Sequence, residues 1–562
     1  MMNRSGFAAV VIILLCSFQG SSADYDFIVV GAGPAGCIVA SKLAETGKRT
    51  LLLEAGPATS WAFGGRDQKP FFQQHGGNSD VTVFDIPGEN ERLRKNDAYW
   101  WQHIPWALQG RGVGGSGMVN AALTFKPSPR DFDLWPSGWK FSDLEPFFDE
   151  AFEKTKLTST PSKDGKLYAQ GTGEAFEELS NNQFGFSKVE LNANPGSRVN
   201  TMSVTQVTVD GGQRSDACMA YLLPAMNSRS NLELRTNSEV KKIAMGMGGL
   251  AGGVELTDGS SFSLNPGGKL VMTAGPLNTP RILLMSGIGP NWMVSQNSDH
   301  GLVLNGNQYW VDNWALARSM HDHTFTVMNF RVPDTKKIAF RYYVDKYVDS
   351  ELSRYFNSRS GPYAQYGPVR VGFIARDGVS DPEVELLVMT SGQEGSSDQD
   401  CDNCYRILLM LMHETARDFY KLSKWNGFCD CETRKCGWGE VCKPNLYLAN
   451  SEDFETMRWA VQKIAKAAEA EGYEVLTPSG SGDDTIKNFL QNDPVAKLSA
   501  SHYAGTCAIG TCTDADLRVE GTENIYVADS SLFPAPIHAH NVGTVFAVAA
   551  KAAQHITKEP AT

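Results

Sequence analysis

Apolar positions fall along this chain in runs whose endings differ. The first, over residues 7–18, follows Arg4 and gives way to Ser21-Ser22-Ala23. A basic lead, an apolar stretch and small residues predict a secretory signal peptide over 1–23. The stretch is shorter than the ~20 residues a membrane span needs. The second run, Phe27-Ile-Val-Val, enters Gly31-Ala-Gly33-Pro-Ala-Gly36, and a later run, Leu51-Leu-Leu, closes on Glu54. Strand, glycine turn, helix and second strand are predicted in that order.

Beyond residue 56 the pattern changes character. Residues 57–100 carry few periodic signals, with Pro70 and Pro87, and read as a long excursion over a surface. The aromatic and charged mixture over 135–179 predicts surface helices. Residues 232–273 alternate in strand fashion, with hairpin-type breaks at Gly248-Gly249 and Gly252-Gly253. Pro280 stands near the start of a helix, where its missing N–H costs little. Strand-like segments alternate over about 301–475, and after Leu498 a βα pattern returns, with a strand over 524–529 and an apolar-faced helix over 545–556.

Composition narrows the class. The chain has 562 residues, 42% hydrophobic, enough for two or more domains with an extensive core. Its formal net charge of −12, without a long basic run, argues against a nucleic-acid partner. Cys37, Cys218, Cys507 and Cys512 are scattered, whereas Cys401, Cys404, Cys429, Cys431, Cys436 and Cys442 crowd one stretch. In a secreted chain that crowd reads as a disulfide-stapled insertion, its pairing left open. A zinc site is the weaker reading, because the spacings do not repeat as paired knuckles.

The glycine turn carries the first chemistry. Gly31 permits a tight turn, Gly33 lets backbone approach a pyrophosphate, and Gly36 lets the helix pack on the sheet. Phosphates would meet free N–H groups and the positive end of a helix dipole, with Glu54 placed to bond adenosine ribose hydroxyls.

Four motifs together resemble the glucose–methanol–choline (GMC) oxidoreductase family, whose members are FAD-dependent. They are the fingerprint of Gly31, Gly33, Gly36 and Glu54; Gly110-Arg-Gly-Val-Gly-Gly-Ser-Gly-Met-Val-Asn120; Gly275-Pro-Leu-Asn-Thr-Pro-Arg-Ile-Leu-Leu-Met-Ser-Gly-Ile-Gly289; and Ser501-His502-Tyr503 with His540-Asn541-Val-Gly-Thr544. Thr124 departs from the first glycine signature, where an aromatic or alanine is usual. Met320-His-Asp322-His323 also resembles the family's Asp-His element. Within the family, the run from Asn96 to Trp101 and the surroundings of His502 look most like the flavin domain of cellobiose dehydrogenase.

The resemblance implies an α/β fold, α+β overall: a Rossmann-like FAD-binding domain over 24–130, 205–300 and 495–562, and a sheet-and-helix substrate-binding domain over 131–204 and 301–494. The Cys-rich insertion 401–442 falls in the second. It places FAD on Gly31, Ala32, Gly33, Pro34, Ala35, Gly36, Glu54 and Ala55, on Arg111, Val113, Gly114, Gly115, Asn120 and Ala121, and on Val240, Gly275, Ala528, Asp529, Asn541 and Val542. A helix N-cap is the plainer role for Asp529. Val119 stands where some relatives carry the histidine that binds flavin covalently, so non-covalent FAD is expected.

The implied activity is oxidation of an alcohol or sugar, with oxygen, a quinone or another electron acceptor, in a secreted enzyme without membrane association. His502 becomes the general base and His540 the hydrogen-bonding partner of the substrate hydroxyl, Asn541 being the alternative one register away. The pairs His321-x-His323 and His538-x-His540 have spacing for one strand face, but the second lacks an adjoining acid and the family uses no metal. The runner-up is a lyase of the hydroxynitrile type, which keeps FAD without net redox chemistry.

Overall fold

The amino end builds the βαβ unit that the apolar pattern predicts. The computed structural model describes residues 24–75, 80–93, 99, 101, 104, 107–294, 311–333, 347–390, 403–418 and 444–558. The expected signal peptide and the run from Asn96 lie wholly or largely outside them. Strand Tyr25–Val30 pairs in parallel with Thr50–Leu53 on one side and with the far half of Ser261–Met272 on the other. Leu232–Arg235 and Ile525–Val527 extend the sheet at its two sides. Ile28, Leu51, Leu52, Leu270 and Ile525 have no exposed surface, as expected of parallel strands covered on both faces.

Two helices cover this sheet together. Pro34–Ala44 begins with proline in its first turn, and it packs against the C-terminal helix Asn541–Lys558. A Cβ on Gly36 would overlap the Gly31 carbonyl oxygen, so glycine is required where helix and turn touch. Cys37 of this helix is disulfide-bonded to Cys218, and Cys507 to Cys512. The four cysteines that look scattered in sequence are therefore two bridges. Of the six in 401–442, Cys404 alone is described, and it is disulfide-bonded.

The near half of Ser261–Met272 bends away into an antiparallel meander with Ala251–Leu256 and Val240–Met245. The break at Gly248-Gly249 is a turn, but Gly252-Gly253 lies inside a strand. Gly253 serves close approach instead, since a Cβ there would overlap the Phe262 carbonyl.

A second, mostly antiparallel sheet follows the order Glu474–Thr477, Thr324–Arg331, Cys404–Leu411, Val384–Met389, Pro368–Ile374, Thr201–Val204 and Ser187–Lys188. Helices Gly171–Phe184 and Ser451–Ala470 bury their apolar faces with its outer side. Phe141–Lys154, although within 131–204, packs instead against the C-terminal helix of the nucleotide side. The described part of 57–100 is not wholly a surface excursion. Its Val81, Val83, Phe84, Ile86 and Leu93 bury themselves with Tyr355 and Tyr363 in a third apolar cluster. Their spacing follows neither helix nor strand period, so periodicity could not reveal it.

One crossing positions the site. Leu498–Ser499 pairs with the start of Thr324–Arg331, Thr324 facing Ser499, and His321 bridges to Ala504. Residues 321–325 and 498–504 thus run side by side. Among the described residues no helix is long and apolar enough to cross a membrane.

The glycine contacts separate two roles that the motif alone merges. A Cβ on Gly33 would meet nothing within 4 Å, whereas one on Gly36 would strike backbone. Gly36→Ala should lower thermal-unfolding stability by about 3 kcal/mol, the upper part of the usual overpacking cost. Gly33→Ala should stay within about 1 kcal/mol of the parent. Equal stability of the two variants would contradict this division.

Candidate active site

A single cavity runs from the glycine turn to the two C-terminal histidines. Gly31, Gly33, Pro34, Ala35, Glu54, Ala55, Gly115, Asn120, Ala121, Val240, Gly275, Asp529, Asn541 and Val542 line it, as do His502 and His540. Segments from both ends of the chain therefore share one concavity. The first helix points its N-terminus here, and Gly33 supplies no side-chain cap, so its early N–H groups stay available to an anion.

Glu54 holds this end in shape. Its Oε2 accepts the Ala32 N–H at 2.9 Å and its Oε1 the Gly56 N–H at 2.8 Å. Burial pushes the Glu54 carboxyl up to about 7, against the pull of these amides and of the Arg111 guanidinium. Asp529 works alike: one oxygen caps the short turn at Ser531, while the other accepts from Gly275 N at 2.9 Å and Thr279 Oγ1 at 2.6 Å. The N-cap role considered for Asp529 is present, joined to a clamp on the Gly275 turn.

The remaining candidates shape the cavity from behind. Gly114 N donates to Ala32 O at 2.8 Å, and Val113 N to Pro57 O at 3.0 Å. The Arg111 guanidinium donates to Ala55 O at 2.9 Å. Ala528 continues the strand pairing, its N–H donating to Met272 O, and Gly36 packs behind the turn. Gln109, unnoticed in the sequence, lines the cavity with its Oε1 buried and without a partner, while its Nε2 donates to Ala274 O. The open space beside Gly33 and the orphaned Gln109 oxygen fit a long polar ligand.

At the far end three histidines meet. The His502 and His540 rings stand nearly perpendicular, 4.7 Å between centroids. His323 Nδ1 lies 3.0 Å from His502 Nδ1. His540 Nε2 lies 3.0 Å from Glu385 Oε1, a carboxylate with no exposed surface. Asn541 does not take the ring position beside His502; its Nδ2 donates to the His502 carbonyl at 2.7 Å.

Asp322 ties this cluster together. Its Oδ1 accepts the backbone N–H of His502 at 2.7 Å and of His323 at 2.8 Å. Its Oδ2 accepts from the Ser499 hydroxyl and from the Tyr447 hydroxyl, the latter at 3.0 Å. Burial still pushes the Asp322 carboxyl up to about 6. Ser501, at φ 60°, turns the chain immediately before His502 in a conformation unusual outside glycine. Burial, then the neighbouring imidazoles, holds His502 well below the usual histidine range, so its ring is neutral at neutral pH. Glu385 was not among the sequence candidates; its signal is a lone acid in the apolar strand Val-Glu-Leu-Leu-Val-Met.

With the geometry in place, comparisons fix the class. The GMC oxidoreductase N-terminal profile matches residues 25–303 and the C-terminal profile residues 439–549. The chain belongs to the GMC oxidoreductase family, whose members bind FAD, and it is an FAD-dependent oxidoreductase. It is 25% identical to an oxygen-dependent choline dehydrogenase of Rhizobium rhizogenes, covering 95% of this chain and 96% of that one. It is 28% identical to glucose dehydrogenase [FAD, quinone] of Drosophila melanogaster, covering 91% and 83%. Among solved structures, an Aspergillus oryzae formate oxidase superposes with a TM-score of 0.74 at 19% identity, covering 95% and 98%. A fungal aryl-alcohol oxidase superposes with 0.67 at 20% identity, again covering 95% and 98%. Both show the fold.

Glu54 generates a pH prediction. Its carboxyl sits at about 7 in the fold against 4.5 ordinarily, so its contribution is full below about 4.5 and lost as pH rises through about 7. At ~1.4 kcal/mol per pH unit, the parent should lose about 3 kcal/mol across that window relative to Glu54→Gln. Denaturant unfolding at several pH values measures it. Parallel curves for the two proteins would contradict the assignment.

Proposed function

We propose that this chain is a secreted enzyme that oxidises the CH–OH group of a small alcohol or sugar to the carbonyl, with His502 as general base. The observation that carries the reading is the placement of His502 and His540 at one end of the cavity that begins at the Gly31–Gly36 turn. FAD, when bound, supplies the acceptor for the hydride leaving the substrate carbon. Gly31, Gly33, Pro34 and Ala35 would hold its phosphates, and Asn120, Ala121, Asn541 and Val542 its ring system.

The chain's own residues handle the proton. His502 engages His323 through Nδ1, which leaves Nε2 for the substrate hydroxyl. Burial keeps His502 unprotonated, the state a base needs. His540 is steadied at Nε2 by Glu385, which leaves its Nδ1 to meet the same substrate hydroxyl. Phe325, Leu387, Met389 and Leu408 of the second sheet line the cavity and exclude water from that proton transfer.

Other features support the finer parts of the proposal. Relatives named choline dehydrogenase and glucose dehydrogenase favour an alcohol donor, and their names pair it with oxygen or a quinone as acceptor. Val119, which lines the cavity at the position of covalent attachment in some relatives, offers no nucleophile and supports non-covalent FAD. The apolar run after Arg4 and the Cys37–Cys218 and Cys507–Cys512 bridges support secretion into an oxidising compartment.

Anaerobic mixing with choline, glucose, cellobiose and aryl or aliphatic alcohols tests the reading. At least one donor should bleach the flavin's visible absorbance, whereas a lyase would leave the flavin oxidised throughout. His502→Ala should retain FAD and slow that bleaching by about 10²–10⁴-fold. An unchanged rate would remove His502 from the role of base.

A further inference from the structure

His323 is nearly fully buried and does not line the cavity, yet its ring meets the His502 ring edge to face, 5.2 Å between centroids at 89°. Two Nδ1 atoms 3.0 Å apart hydrogen-bond only when one carries a proton and the other does not. We propose that His323 is a positioning residue that accepts the His502 Nδ1–H and so locks His502 in the tautomer whose Nε2 lone pair faces the substrate. The inference rests on the reading of His502 as the base.

Three observations carry it. Asp322 Oδ1 receives the backbone N–H groups of both histidines, so the two rings are held at one separation by a common anchor. Both rings are neutral at neutral pH, because burial, followed by neighbouring imidazoles, holds each well below the usual range. A neutral imidazole carries a single N–H, so a His323 that accepts at Nδ1 carries its own proton on Nε2. The Met412 backbone carbonyl favours a proton on His323, although no hydrogen bond closes on Nε2. The reverse arrangement would protonate His502 at Nε2 and leave the substrate hydroxyl facing an N–H rather than a lone pair.

The charged and titratable groups around the pair are consistent with this direction. His323 faces His321, His538 and His540, and His502 faces His540. Asp322 directs both its oxygens to amides and hydroxyls rather than to either ring. Glu385 is engaged by His540. Among the described residues, no carboxylate in contact with this cluster bonds a His502 ring nitrogen. The orienting role that an acid often plays for a catalytic histidine falls here to a neutral imidazole.

His323→Gln and His323→Leu separate positioning from filling. The glutamine keeps an acceptor and the leucine keeps only bulk. With FAD content equal by visible absorption, His323→Leu should lower kcat at least ~10-fold with little change in KM, within the range that wrong tautomers cost. His323→Gln should recover most of kcat. Equal kcat in the two variants overturns the proposal. In the unsubstituted holoenzyme, ¹⁵N histidine NMR should find His502 protonated at Nδ1, and protonation at Nε2 overturns it without any variant. Failure of the base assignment is distinct: it appears as full turnover in His502→Ala.

Discussion

The histidine end of the cavity depends on one buried carboxylate. Asp322 has almost no exposed surface, and moving a charge so far from water costs several kcal/mol unless donors replace the hydration shell. Four donors do so: the backbone N–H groups of His323 and His502 and the hydroxyls of Ser499 and Tyr447. They come from three stretches of chain remote in sequence. Asp322 thereby fixes where residues 321–325 and 498–504 lie beside each other, and the histidines on those two segments inherit their spacing from it.

The same physical device recurs through the cavity. Glu54 receives amides from Ala32 and Gly56, and Asp529 receives Gly275, Thr279 and Ser531. Glu385 receives His540. These carboxylates hold loops rather than reach into solvent, and burial raises Glu54 and Asp529 as well as Asp322. The result is a division of labour between elements. Backbone near Gly31 and the start of the Asn541–Lys558 helix line one part of the cavity, the cofactor end of the proposed function, while His502 and His540 line the part where that proposal places the bond changes.

What the sequence makes legible follows the range of the interactions. The βαβ unit is written in local signals: an apolar run, a glycine turn at Gly31 and proline at the head of a helix, each acting within a few residues. His502 and His540 were reached through resemblance to a family, because nothing local distinguishes a catalytic histidine from a structural one. Glu385 and the pairing of His323 with His502 depend on contacts across 155 and 179 positions, and no periodicity reports such distances. The same holds for Cys37 and Cys218, 181 residues apart. Part of the segment 57–100 escapes a reading from sequence for a different reason. Its buried Val81, Val83, Phe84 and Ile86 sit in irregular backbone, where apolar content without period gives no sign of burial.

In the proposed function, Asp322 holds His502, the base, in working geometry while the cofactor end is held independently. Stopped-flow measurement of anaerobic flavin reduction in the Asp322→Asn holoenzyme tests it most directly. Asparagine leaves one acceptor oxygen and turns the other into a donor facing the Ser499 and Tyr447 hydroxyls. FAD content should be unchanged and the flavin-reduction rate lower by about 100-fold. Reduction at the parent rate would contradict it.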